Sequence, residues 1–236
     1  MPTISPTPSD PRRARLLLAL AAALVLYNVP YGAYVVFPFK LFATWVHEMS
    51  HGLTAIAVGA HFQSLEIHAD TSGLAKYSGG LGRLRHGLVT SAGYLGTAFF
   101  GGLIVATQAS RRAARAVLGA LAVALVLSAG LWVRQPFGFG VCVVLAVALW
   151  LSATRATSGV AGAVLQFLGA QTCINAVLDI RVLYSVSERS DAVTMATLFW
   201  LPSWFWATSW MVLALAALAL ALRAGLRSQA RATPPP

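Results

Sequence analysis

Trp45-Val46-His47-Glu48-Met49-Ser50-His51-Gly52 is the stretch on which the reading of this 236-residue chain turns. Apolar residues flank it from 39 to 60, a run of the ~20 residues that a helix needs to cross ~30 Å of hydrocarbon. In such a helix His47 and His51, four positions apart, project from one face and can hold one zinc ion. Glu48 beside them is placed to take a proton from a metal-activated water and to pass it to a leaving amine. An ionisable group at the centre of a spanning helix costs about 2.5 kcal/mol or more, so a polar trio there calls for a function.

Working outward, the composition agrees with a membrane setting. Hydrophobic residues make up 58% of the chain and charged residues 10%, against roughly 25% charged in a soluble domain. A water-soluble globule, a disordered chain, a collagen and a disulfide-stapled secreted fold are excluded together. The net charge of +10 sits in short clusters between apolar runs: Arg12, Arg13 and Arg15, then Arg111, Arg112 and Arg115, then Arg223, Arg227 and Arg231. Clusters so placed meet lipid headgroups, and no nucleic-acid partner is expected. Cys142 and Cys173 lie within apolar runs and read as small buried hydrophobes.

Seven apolar segments follow one another, at residues 16–37, 39–60, 86–108, 116–133, 137–153, 159–180 and 203–222. The first begins like a signal peptide but is long for one and has no clear cleavage site, so it counts as a span. The expected fold is an all-α polytopic membrane protein of six to seven transmembrane helices, with a small β-hairpin insert at the membrane surface. Residues 1–15 read as a disordered tail, 16–222 as one transmembrane domain and 223–236 as a basic, proline-rich tail. The insert is 61–85, where Phe62, Leu65, Ile67, Leu74 and Tyr77 are spaced by polar residues, with turn signals at Ser72-Gly73 and Gly79-Gly80. Ser190-Asp191 opens a short capped helix at the interface, and Trp200, Trp204, Trp206 and Trp210 read as an aromatic belt.

Two histidines leave the metal short of a protein ligand, because catalytic zinc sites usually have three and a water. Position 57, where a third histidine would extend the motif, is Ala57. Glu66 and His68 share one face of the expected strand and are one alternative. Asp179 is the stronger one, being the only acid besides Glu48 within an apolar span. A parity argument favours it: four crossings separate the His51 end of the second segment from the Asp179 end of the sixth, which returns both to one side. It requires the short segment 137–153 to cross. Asn175, four residues before Asp179, shares its face and is expected to orient the ligand or to bind substrate backbone.

These residues resemble the site-2 protease family of intramembrane zinc metalloproteases, especially its compact bacterial branch. The likeness rests on His47-Glu48-Met49-Ser50-His51, on Thr71-Ser72-Gly73 in the insert, on Ser91-Ala92-Gly93-Tyr94-Leu95-Gly96, and on Leu178-Asp179. It implies one zinc ion on His47, His51 and Asp179, with Glu48 as catalytic acid and base. It also implies a β-insert beside the site where unwound substrate is held by strand addition, which places Gly73 with Asn175 among the substrate-binding or ligand-orienting residues. The chain departs from the family's habit in having Ser50 where glycine is common, Ile180 after the aspartate, and no prolines before it.

The resemblance therefore implies a zinc metalloendopeptidase of a bacterial plasma membrane, engaged in regulated intramembrane proteolysis of membrane-anchored protein substrates. The alternative is a catalytically inactive zinc-binding membrane protein that binds or sorts membrane clients. A small transporter fits less well, as no internal repeat is visible and the other spans lack charged groups.

Overall fold

The computed structural model describes residues 18, 21–23, 25–106, 111–184 and 190–230. In chain order the elements are α1 (Gly32–Ala57), β1 (His61–Ile67), β2 (Gly73–Ser78), α2 (Arg83–Ala106), α3 (Arg111–Leu131), α4 (Pro136–Thr154), α5 (Ser158–Val182), α6 (Asp191–Phe199) and α7 (Ser203–Ala230). Among the described residues five helices are long and apolar enough to cross a membrane: α2, α3, α4, α5 and α7. That is fewer than the six to seven expected. The segment 16–37 lies partly outside the described residues, and α1 is diluted by Lys40, His47, Glu48 and His51. The short segment 137–153 is α4, at 19 residues long enough to cross.

The first two expected segments divide elsewhere than at Pro38. The turn falls at 27–31, and α1 runs on through Pro38 as one helix of 26 residues. Asn28, Pro30 and Gly32 supply the turn chemistry. Tyr31 takes the left-handed conformation at φ 64°, and a Cβ on Gly32 would collide with the Leu26 carbonyl. A proline inside a helix forfeits one hydrogen bond, which a tightly packed helix tolerates. At the other end α7 continues to Ala230, past the expected close at 222. The expected tail 1–15 lies outside the described residues.

Local signals start the later helices. Pro136 occupies the first turn of α4. Thr157 and Ser190 cap α5 and α6 by accepting from the Val160 and Val193 amides, each at 3.4 Å. The tryptophans do not form one belt. Trp200 and Trp204 are exposed, whereas Trp210 is buried between helices.

The insert is an antiparallel hairpin, with Leu65 opposite Ala75 and Ile67 opposite Gly73. An irregularity between Phe62 and Ser64 changes the alternation, so that Phe62, Leu65 and Ile67 all face inward. These three join Leu41, Phe42, Trp45 and Val46 of α1 in the larger core cluster. The hairpin is thus keyed into the helical body rather than resting on it. Its β1 edge is covered, as the Leu65 amide donates to the Trp132 carbonyl at 3.0 Å.

Inside the body α2 packs against α1, α5 and α7. The α3–α4 pair closes against the far side with Leu118, Ala122, Leu125 and Ala129 meeting Cys142, Ala146, Leu149 and Ala153. A buried hydrogen bond of 2.9 Å from Trp45 Nε1 to Ser128 Oγ ties α1 to α3.

Candidate metal centre

The helical course of α1 puts His47 and His51 one turn apart, and their Nε2 atoms stand 3.0 Å from each other. His51 Nδ1 lies 2.7 Å from the Val89 carbonyl. A carbonyl only accepts, so Nδ1 carries the proton of that bond, and Nε2 is the ring atom left to face an ion. Ser50 satisfies its own hydroxyl by donating to the Val46 carbonyl at 2.7 Å.

The facing helix α2 is cut away to admit these side chains. A Cβ on Gly93 would overlap the Nε2 atoms of both histidines, and one on Gly96 would overlap the Ser50 hydroxyl. Small residues on a contact face let two helices approach closely. Here the approach is made by polar side chains meeting backbone. Tyr94 follows Gly93 and sets its ring 4.6 Å from that of His47, at 84°.

The third acid comes from α6. Asp191 Oδ2 lies 3.5 Å from His47 Nε2 and 3.3 Å from His51 Nε2. It is placed there by α6, which packs on α2 through Met195 and Phe199. A Cβ on Gly87 would come within 2.6 Å of the Phe199 ring. Partial withdrawal from water would raise the Asp191 carboxyl, but the charges of His51 and His47 outweigh it and hold the group well below the usual carboxylate range.

His47, His51 and Asp191 are the one group of metal-capable side chains that converge among the described residues, their ligand atoms all within 4.8 Å of one another. The three separations of 3.0, 3.3 and 3.5 Å can be set against a zinc tetrahedron. With ligands about 2.0–2.2 Å from the ion its edges are about 3.3–3.6 Å. The group forms one face of such a tetrahedron, and two nitrogens with one oxygen are a donor set suited to zinc.

Glu48 lies outside this converging group. It is buried and makes no ion pair among the described residues. Gly73 sits on it: a Cβ at Gly73 would lie 2.6 Å from Glu48 Cγ and 2.8 Å from Oε1. The turn before Gly73 is tied to the same helix face, since Thr44 Oγ1 donates to the Thr71 carbonyl at 2.6 Å. Thr71 itself is left-handed at φ 70°.

The structure brings His47, His51, Glu48 and Gly73 together but leaves Asp179 outside the converging group. The acid that converges with the two histidines among the described residues is Asp191. Asp179 stands exposed on α5, near enough for the charges of His47 and Lys40 to act on it. Asn175 is buried and accepts from the Tyr27 hydroxyl at 2.8 Å, while its Nδ2 has no partner among the described residues. Glu66 and His68 pair on the outer face of the hairpin, Glu66 with Lys76 at 2.5 Å and with His68 at 3.8 Å. Asp191 was within reach of the sequence. It follows α5 at the same end as Asp179, so the parity argument fits both acids, and Ser190-Asp191 already marked a helix start.

Neither the curated proteins nor the solved structures compared with this chain gave a match. The family model described as Peptidase M50B-like matches residues 16–221, which takes in all of α1 to α6 and the whole centre. The helical body, the hairpin at its side and the histidine-histidine-aspartate face are therefore those of a chain that belongs to the Peptidase M50B-like family, a site-2 protease family.

Proposed function

We propose that this chain is an intramembrane zinc metalloprotease that hydrolyses a peptide bond in membrane-anchored protein substrates, acting from a bacterial plasma membrane. The observation that carries the reading is the near-tetrahedral face of His47, His51 and Asp191, with Glu48 adjacent and in no ion pair among the described residues. These three side chains hold the ion. When bound, it supplies Lewis acidity to the scissile carbonyl and acidifies the attacking water.

The protein's own part is proton transfer and positioning. As the water oxygen adds to the carbonyl carbon, Glu48 accepts its proton. The same proton then goes to the amide nitrogen as the C–N bond breaks. Only an unwound segment presents its carbonyls, because in a helix they are engaged by amides four residues on. Strand β2 pairs with β1 alone among the described residues, so an extended substrate can add to its other edge. Gly73, at the start of β2, leads such a strand past Glu48. The unpartnered Asn175 Nδ2 is a donor for substrate backbone.

The test is zinc content in detergent together with cleavage of a membrane-anchored reporter. Glu48→Gln should keep zinc and lose about 10²–10⁴-fold in rate. Asp191→Ala should lose zinc, and Asp179→Ala should keep it. Zinc loss in Asp179→Ala but not in Asp191→Ala would return the third ligand to α5. A wild-type protein that holds zinc and cleaves no client would favour the inactive client-binding reading.

A further inference from the structure

The two imidazoles of the centre are steadied by different means. His51 has an outer hydrogen bond from Nδ1 to the Val89 carbonyl, the usual device for fixing the tautomer and rotation of a metal-binding histidine. His47 has no such bond among the described residues. Its polar contacts among the described residues run through Nε2, the ligand atom itself.

What borders the His47 ring is aromatic. Tyr94 meets it edge to face at 4.6 Å and 84°. Trp210 of α7 stacks on Tyr94 at 5.0 Å and 18°. Tyr94 is 9% and Trp210 2% exposed, so neither ring has room to swing. Edge-to-face and offset contacts are the favoured arrangements of aromatic rings, since a positive edge then meets a negative face. Three rings from α1, α2 and α7 thus form one column that ends at a metal-ligand candidate.

We propose that Tyr94, backed by Trp210, is the positioning residue for His47. The column does for this ring what the Val89 carbonyl does for His51, and it aims Nε2 at the point that His51 Nε2 and Asp191 Oδ2 also face. Gly93, which lets α2 close on the histidines, delivers Tyr94 to this place as its neighbour in sequence. The inference rests on the metal reading of the centre and adds a residue that touches neither the ion nor the substrate. The ring is what matters, not the hydroxyl.

The experiment uses the full chain in detergent loaded with cobalt(II), whose visible absorption reports ligand geometry. It adds a competing chelator to measure affinity, and thermal unfolding of the metal-free protein. Tyr94→Phe should keep the wild-type spectrum and affinity. Tyr94→Leu should change the spectrum and weaken cobalt binding by about tenfold or more, with little change in the metal-free melting temperature. Trp210→Leu should shift both in the same direction by less, and it carries the test alone if Tyr94→Leu does not fold. A wild-type spectrum and affinity in Tyr94→Leu or, where that variant is lost, in Trp210→Leu overturns the proposal. So does a loss in Tyr94→Phe as large as in Tyr94→Leu. Wild-type protein that takes up no cobalt overturns the metal reading, and the positioning role with it.

Discussion

The α1–α2 seam and the α3–α4 pair are both helix contacts within one apolar body, yet they are built on opposite lines. Along α3 and α4 the buried positions are Leu118, Ala122, Leu125 and Ala129 against Cys142, Ala146, Leu149 and Ala153. Both sets step by four, three and four residues, the spacing of a coiled-coil seam. Along α1 and α2 the closest approach is of His47, Ser50 and His51 to Gly93 and Gly96. Lipid tails are as apolar as leucine, so association in a membrane rests on packing and hydrogen bonds. Along the α3–α4 seam the contacts of these residues are apolar packing. The α1–α2 seam gives up side-chain volume to bring polar groups within reach of one another.

If that contrast holds, one added methyl should have different effects in the two places. Gly93→Ala is expected to abolish metal binding, because its Cβ would overlap both ligand nitrogens. Gly119→Ala on α3, whose Cβ would meet nothing nearer than the Trp150 ring at 4.0 Å, should leave metal content and melting temperature within error of wild type. Equal metal contents in the two variants would break the comparison.

Removing volume should reverse the order. Leu125→Ala, at a fully buried position of the apolar pair, should cost about 2 kcal/mol of stability while the remaining folded protein binds zinc as before. Denaturant unfolding with parallel metal analysis reads both. A smaller cost than that of Leu125→Ala is expected where the two regions join. Ser128→Ala removes the partner of Trp45 Nε1 and should cost about 0.5–1 kcal/mol. A loss of zinc from that variant would show that α3 takes part in shaping the seam.

Much of this architecture was legible in the chain because hydrocarbon imposes a length and an apolar character on each span. The helices α2 to α5, the hairpin at 61–85 and the cap at Ser190 all follow from such local signals. His47, His51 and Glu48 were legible for the same reason, as polar residues in an apolar run stand out. Asp191 escaped by the converse. It lies in a polar connection where an acid excites no notice, and only the packing of Phe199 and Met195 on α2 carries it to the histidines. Parity could name the end of α5 but could not choose between two acids at that end. The break between the first segments was misplaced because Pro38 is the stronger breaker on paper, whereas Pro30 beside Asn28 and Gly32 makes the turn.

The separation of the three candidate ligands along the chain has a consequence for how the fold is closed. His47 and His51 lie in the first complete helix, and Asp191 comes after six further helices and strands, on a helix of nine residues. An ion shared among them would pin α6 to α1 and so cross-link two remote parts of the chain, as a disulfide does in a secreted protein. Such a staple makes ion capture part of the folding equilibrium, with the metal's binding energy added to the native state alone. The short helix that carries Asp191 would then owe its place to the ion as much as to its own apolar contacts.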